Sequence, residues 1–352
     1  MRVGQAREAA RQWVIEEASG IPGFCGAYTA GSTNWLPDDA DLTTTSDLDI
    51  MVVLTDPNQG SRRGKLRSGK FRYHEVLLEA SHLTNDQLQS SDLVLSDYHL
   101  APSFRTASIL LDPSGHLTAP RAIVSRDYAK RQWVRRRCAN ARDRVLGHLR
   151  SINEGTPLHD LVIACLFGAG ITTHVLLVAG LRNPTVRARY LAVRELLADY
   201  GDVEFYETLL ELLGTARIPC GRVGQHLATL ADVFDTATKA IKTPFPFASD
   251  LSDIARPIAI NGSLELIERG YHREAMFWIA VTHSRCQKVL SGDATVELPQ
   301  SLSDSYRDLV DDLDIASFAD VRRRCAEVER FLPRVWEAAE RIMASNQRIE
   351  DD

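Results

Sequence analysis

Two aspartates one residue apart stand at the head of an apolar run, Ser46-Asp47-Leu48-Asp49-Ile50-Met51-Val52-Val53-Leu54. The run is rich in strand formers and is bounded by Thr55-Asp56-Pro57-Asn58-Gln59-Gly60, so Asp47 to Leu54 reads as a buried strand. Residues at i and i+2 of a strand point to the same face, roughly 6.6–6.8 Å apart along the chain. Asp47 and Asp49 then present two carboxylates side by side. Such anions repel, and burial adds to the cost unless a cation sits between them. Two divalent ions roughly 3.5–4 Å apart, bridged by carboxylates of this kind, form the clamp used for in-line attack on phosphorus.

The preceding segment supplies the phosphate side of that chemistry. Phe24 to Ala30 reads as a short strand ending in Gly31-Ser32. Glycine lets backbone approach a ligand closely, and successive N–H groups beside a serine hydroxyl make an anion-binding concavity. Asp39-Ala40-Asp41 has the same i, i+2 spacing as the aspartate pair. It follows the turn signal Pro37-Asp38 and precedes Leu42-Thr43-Thr44-Thr45, so it reads as a solvated loop.

Strand, Gly-Ser, spacer and strand-borne Asp-x-Asp together resemble the nucleotidyltransferase superfamily named for DNA polymerase beta, and within it the aminoglycoside nucleotidyltransferases. Fourteen residues, Thr33 to Ser46, separate Ser32 from Asp47, slightly more than the family's spacer. The resemblance covers residues 20 to 85 with specificity and the rest only in general organisation. It implies a third carboxylate on the next strand, expected over Phe71 to Leu83. Glu79, between apolar Leu78 and Ala80, is the first choice. Glu75, on the same face of such a strand and about 13 Å away by strand rise, is the second.

The resemblance implies a Mg²⁺-dependent nucleotidyltransferase. Such an enzyme would move a nucleoside monophosphate, AMP from ATP before other nucleoside triphosphates, to a hydroxyl of a small acceptor and release pyrophosphate. Asp47 and Asp49 would hold two Mg²⁺ ions. Glu79 would complete the metal site or take the acceptor proton, and Gly31 and Ser32 would hold the β- and γ-phosphates. An alternative is transfer to a protein or a tRNA. A third reading, a non-catalytic nucleotide-binding module, leaves the costly cluster of carboxylates without a purpose.

The elements that must position these residues follow from length and pattern. At 352 residues the chain exceeds the size at which one core stops growing, so two domains are expected. Strands and turns dominate up to the region of Asp112-Pro113-Ser114-Gly115 and Thr118-Ala119-Pro120, a turn and a breaker. From Ser125, read as a capping residue, the pattern is helical. Helices are expected over 187–199, 203–213, 223–241, 263–269, 271–291 and 318–345. The fold class is therefore α+β: a catalytic domain over 1–124, with a mixed sheet and flanking helices, then an all-α substrate-binding domain over 125–352.

Composition narrows the partners. The net charge of −6 argues against a protein built to coat nucleic acid. Ser61 to Arg72 carries six cations and no acid, which suits either a solvated hairpin or a mobile loop meeting the triphosphate. Arg131, Arg135, Arg136, Arg137, Arg142 and Arg144 surround one helix axis, so most are expected in solvent, with one or two reaching phosphate. Base-stacking aromatics are sparse in both clusters, against an extended nucleic-acid groove. The proline-broken loop from Ile241 is expected to gather Lys242, Asp250, Asp253 and Arg256, with Lys242 or Arg256 reaching phosphate, and to lead to His272 at a helix start. The six cysteines, with no close pair in sequence, fit reduced thiols in a cytoplasmic protein. The N-terminus reads as an amphipathic helix rather than a signal peptide. Leu161 to Leu181 lacks formal charge over a membrane-spanning length, but its glycines, threonines and His174 suit a buried core helix better.

Overall fold

The computed structural model describes residues 1–56, 68–245, 247–294 and 299–352. They form an α+β chain, with a five-stranded mixed sheet in the N-terminal region and mostly helices after it. Two compact units emerge. The first comprises residues 1–140, 183–186 and 347–352, and the second residues 141–182 and 187–346. The expected boundary at 124/125 falls inside a helix, Thr118–Asp127.

In the first unit, helix α1 (Val3–Glu16) precedes strands β1 (Phe24–Ala30), β2 (Leu48–Leu54), β3 (Gly69–Tyr73), β4 (Val76–Thr84) and β5 (Ile109–Leu111). The sheet order is β3-β4-β2-β1-β5. Strands β2 and β4 run parallel, and the other neighbours are antiparallel. Alternation along β2 explains the layering. Leu48, Ile50, Val52 and Leu54 are fully buried in one core with Ala6, Ala10, Trp13 and Val14 of α1. Val76, Leu78 and Ala80 of β4 and Phe71 of β3 join that core, with Phe71 and Trp13 rings 5.0 Å apart. Since the side-chain period is two, Asp49 and Glu79 must face the opposite side of the sheet.

Short helices α2 (Ser91–Ser96) and α3 (Ala101–Arg105) follow β4, and α4 (Thr118–Asp127) follows β5. Phe104 of α3 packs on Tyr28 of β1 at 4.8 Å between ring centroids. Helix α4 corrects two sequence expectations: Thr118-Ala119-Pro120 opens a helix rather than breaking one, and Ser125 lies inside it. Proline is tolerated in a first turn, whose N–H groups lack helical partners in any case. Asp112 caps this start, its Oδ2 accepting from the N–H groups of Leu117 (3.1 Å) and Thr118 (2.8 Å). Helix α5 (Arg131–Arg150) belongs to this unit as far as Asn140.

The single strand expected over Phe71–Leu83 is instead the β3–β4 hairpin, turning at His74 and Glu75. His74 adopts φ 50°, a left-handed value uncommon for residues other than glycine, though histidine, like asparagine and aspartate, adopts it more often than most. Glu75 is exposed in that turn and shares no strand face with Glu79.

The second unit is all helical among its described residues. It contains α6 (Leu158–Ala179), α7 (Arg189–Asp199), α8 (Val203–Leu213), α9 (Cys220–Ala240), α10 (Gly262–Glu268), α11 (His272–Asp293), α12 (Gln300–Asp312) and α13 (Phe318–Ser345). Helix α6 is apolar all round because it is surrounded: it packs against α7, α8, α11 and α13, and His174 is buried on it. By length and composition alone it would also cross a membrane, but most of it lies buried inside the unit. Helix α12 falls outside the expected set.

Candidate functional site

The hydrogen-bond ladder aligns the chemistry. Ala30 of β1 pairs with Asp49 of β2, Asp49 with Glu79 of β4, and Glu79 with Lys70 of β3. Residues directly opposite on neighbouring strands share a face, their Cβ atoms roughly 4.5–5.5 Å apart. Asp47 immediately precedes β2, which starts at Leu48, and it joins the group two residues before Asp49. Ligand oxygens of Asp47, Asp49 and Glu79 all lie within 4.8 Å of one another. The site residues foreseen on the two strands are thus together, and Glu79 rather than Glu75 is the acid that meets the aspartates.

Lys70 sits among them. Its Nζ donates to Asp47 Oδ2 at 2.5 Å and also to Glu79 Oε2. The lysine side chain is only 6 % exposed, whereas Asp47 and Glu79 are 21 % and 19 % exposed. The three acids form one cluster of carboxylates on this face. Its donors are all carboxylate oxygens, the hard ligand type that suits Mg²⁺, Mn²⁺ or Ca²⁺ rather than softer metals. The residues therefore fit a divalent cation.

Gly31 and Ser32 follow directly on β1, beside Asp49. Gly31 has φ 71° and ψ −163°, a region essentially restricted to glycine. Both residues are exposed, and Ser32 starts a single 3₁₀ turn, Ser32–Trp35. Two buried side chains bracket this loop: Thr29 Oγ1 donates to Asn34 Oδ1 (2.5 Å), and Asn34 Nδ2 donates back to the Thr29 carbonyl (2.6 Å). From α1, Arg7 donates to the carbonyls of Thr33 (2.6 Å) and Leu36 (2.9 Å). Sequence reasoning missed Thr29, Asn34, Arg7 and Lys70 as parts of this site. An asparagine three residues after Gly31 was the one local signal, since asparagine side chains commonly close turns on the backbone.

Other expected phosphate contacts are dispersed. Asp41 of the Asp39-Ala40-Asp41 loop is exposed and paired with Arg2 at 3.1 Å, in keeping with a solvated loop. Residues 61–67 of the basic segment lie outside the described residues. Of the remainder, Lys70 enters the acid cluster and Arg72 is exposed. Arg137, expected on a solvated helix, is fully buried instead. It donates to the carbonyls of Leu95 (3.0 Å) and Tyr128 (2.6 Å) and stacks over the Tyr128 ring. Burial lowers its pKa from the usual guanidinium value.

In the second unit the residues of the expected gathering around Lys242 take other partners. The Lys242 N–H donates to Asp293 at 2.7 Å, Arg256 forks onto Asp235 at 2.6 and 3.0 Å, and Asp250 pairs with Arg285 at 2.5 Å. Asp253 contributes a longer-range charge that helps raise the Arg256 pKa, behind the Asp235 hydrogen bond. His272 begins α11.

No protein-family model matches the chain, and no curated protein is significantly similar to it.

Proposed function

We propose that this protein is a Mg²⁺-dependent nucleotidyltransferase that moves a nucleoside monophosphate, AMP from ATP in the first instance, onto a hydroxyl of a small acceptor. The observation carrying this reading is the cross-strand row Asp49–Glu79, with Asp47 beside it and Gly31 at its edge. Asp47, Asp49 and Glu79 would hold the divalent cation, which when bound neutralises charge on the triphosphate and the entering oxygen. The exposed backbone of Gly31 and the Ser32 hydroxyl would orient the β- and γ-phosphates.

In the reaction the acceptor oxygen forms a bond to the α-phosphorus, and the bond from that phosphorus to the bridging oxygen of pyrophosphate breaks. The hydroxyl proton leaves to a carboxylate of the cluster or to solvent. Such catalysis is mostly positioning and charge stabilisation, which a rigid sheet face delivers well.

The test is incubation with α-labelled ATP, GTP, CTP or UTP, Mg²⁺ and a panel of hydroxyl-bearing acceptors, aminoglycosides included. Label should transfer with stoichiometric pyrophosphate release, and Asp49→Asn should remove it. Undiminished pyrophosphate release by Asp49→Asn would end this assignment. Label appearing on tRNA or on a protein instead would keep the chemistry and change the acceptor.

A further inference from the structure

Arg105, the last residue of α3, lies on the same side of the sheet as the acids. Ala27 of β1 belongs to the α1 core, so Tyr28 faces away from it, on the side that Ala30 shares with its partner Asp49. Phe104 covers Tyr28 there, and Arg105 is the next residue. The half-buried guanidinium is held by two rings, with Cζ 4.8 Å from the centroid of Trp35 and 5.1 Å from that of Tyr128. No carboxylate pairs with it among the described residues; Asp127, beside Tyr128, is taken by Arg126 (2.7 Å) and Lys130 (2.9 Å). Stacking on aromatic faces orients a guanidinium while leaving its N–H fork for oxygen ligands, and that fork matches phosphate.

Trp35 ties this cation to the glycine–serine loop. Ser32 and Trp35 are the first and last residues of one 3₁₀ turn, where side chains at i and i+3 eclipse, about 6 Å apart along the axis. Burial follows that geometry: Thr33 and Asn34 are buried, Ser32 is exposed and Trp35 is half-buried. The order leading away from Asp49 is Gly31 against its carboxylate, then Ser32, then Trp35 with Arg105 stacked on it. A triphosphate with its α-phosphorus at the acids and its β-phosphate at Ser32 carries its terminal phosphate toward that stack. Resting on the nucleotidyltransferase reading, we propose that Arg105, aimed by the Trp35 and Tyr128 rings, binds the γ-phosphate of the donor and so selects a nucleoside triphosphate over a diphosphate.

The experiment measures, by calorimetric titration of the full-length protein in Mg²⁺, the binding of ATP and ADP analogues that carry a methylene group between the α- and β-phosphorus. The wild type should bind the triphosphate at least about tenfold more tightly than the diphosphate. Arg105→Gln should weaken the triphosphate about ten- to a hundredfold, the range of hydrogen bonds to a charged group, and the diphosphate less than about twofold. Arg105→Lys, which keeps the charge without the fork, should fall between the wild type and Arg105→Gln on the triphosphate alone. Equal wild-type affinity for the two analogues would overturn the proposal. So would a loss in Arg105→Gln that is absent or the same for both analogues, since a merely structural brace would not tell them apart. If the wild type binds neither analogue, the nucleotidyltransferase reading itself fails. Should Arg105→Gln not fold, Arg105→Lys decides by the same split, a loss confined to the triphosphate supporting the proposal and any other result overturning it.

Discussion

Gly31 lies directly against the carboxylate of Asp49: a methyl group built on its Cα would stand 1.9 Å from Oδ2 and 3.0 Å from Cγ. The loop that would meet phosphate and the acid that would meet metal are therefore in contact at a position where only hydrogen fits. The φ of 71° excludes other residues independently of space.

Gly31→Ala should disable the site while leaving the unit folded. Holding a non-glycine residue in this backbone region costs about 1–3 kcal/mol. The new methyl must also push the Asp49 carboxylate aside. Transfer is expected to fall at least about a hundredfold, since ångström-scale misplacement costs that much in catalysis. Circular dichroism should show an unchanged fold, with a lowered thermal midpoint. Wild-type turnover in Gly31→Ala would mean that neither the loop nor Asp49 takes part.

Glu79 and Glu75 separate cleanly. Glu79 joins the cluster from the middle of the sheet, while Glu75 is exposed at the hairpin turn. Glu79→Gln should reduce turnover by roughly 10²–10⁴-fold, the range of a lost acid–base group, and more if metal is lost with it. Glu75→Gln should change turnover less than about twofold, as for a solvated surface charge. The reverse ranking in steady-state kinetics would refute the role given to Glu79.

Much of the sheet was readable because its signals are local. β1 runs over Phe24–Ala30 as expected, and β2 differs only in starting at Leu48 rather than Asp47. Helices 203–213 and 318–345 have the expected bounds, the latter opened by a Ser317–Asp320 capping box. What escaped depends on pairing between distant segments. The β3–β4 turn uses His74-Glu75, which carries none of the usual turn residues, so the hairpin looked like one strand. Lys70 belonged to a run of cations, and only its register opposite Glu79 distinguishes it from the others. Arg137 was indistinguishable in sequence from its exposed neighbours Arg135 and Arg136, yet it is buried and meets two backbone carbonyls. Cys165 and Cys325, remote in sequence, are neighbours on α6 and α13, and the Cys325 thiol, followed by burial, raises the Cys165 pKa.

The buried pair of Thr29 and Asn34 should prove to be a brace rather than a ligand. Asn34→Ala removes both hydrogen bonds; the Thr29 hydroxyl keeps its longer contact to the Ser108 carbonyl (3.3 Å), while the Thr29 carbonyl loses a donor at a cost of about 1–3 kcal/mol. The loop between them then loosens, so KM for the triphosphate should rise while Mn²⁺ binding by the acid cluster stays near its wild-type strength. Loss of Mn²⁺ binding with unchanged KM would contradict this assignment.

Acid sensitivity should originate in part from His283 of the helical unit. The side chain is fully buried, and neither ring nitrogen has a hydrogen-bond partner among the described residues. Burial, with a smaller contribution from His226, pulls its pKa from 6.5 down to about 3. Because the folded value is the lower one, the unfolded chain binds more protons between pH 6.5 and about 3, and stability rises with pH through that window. The stabilisation is complete above 6.5 and is lost as the pH falls, by up to about 1.4 kcal/mol per unit from this one group. His82, also lowered by burial to about 4, adds to the same slope over a narrower span. His283→Leu removes one titrating ring from a site that packs on Tyr306, with ring centroids 5.2 Å apart. Urea denaturation at pH 7, 6, 5 and 4 should show a shallower loss of stability in His283→Leu than in the wild type, with the two curves converging or crossing toward acid. Parallel curves at all four pH values would show that His283 takes up a proton as readily folded as unfolded, contrary to its burial.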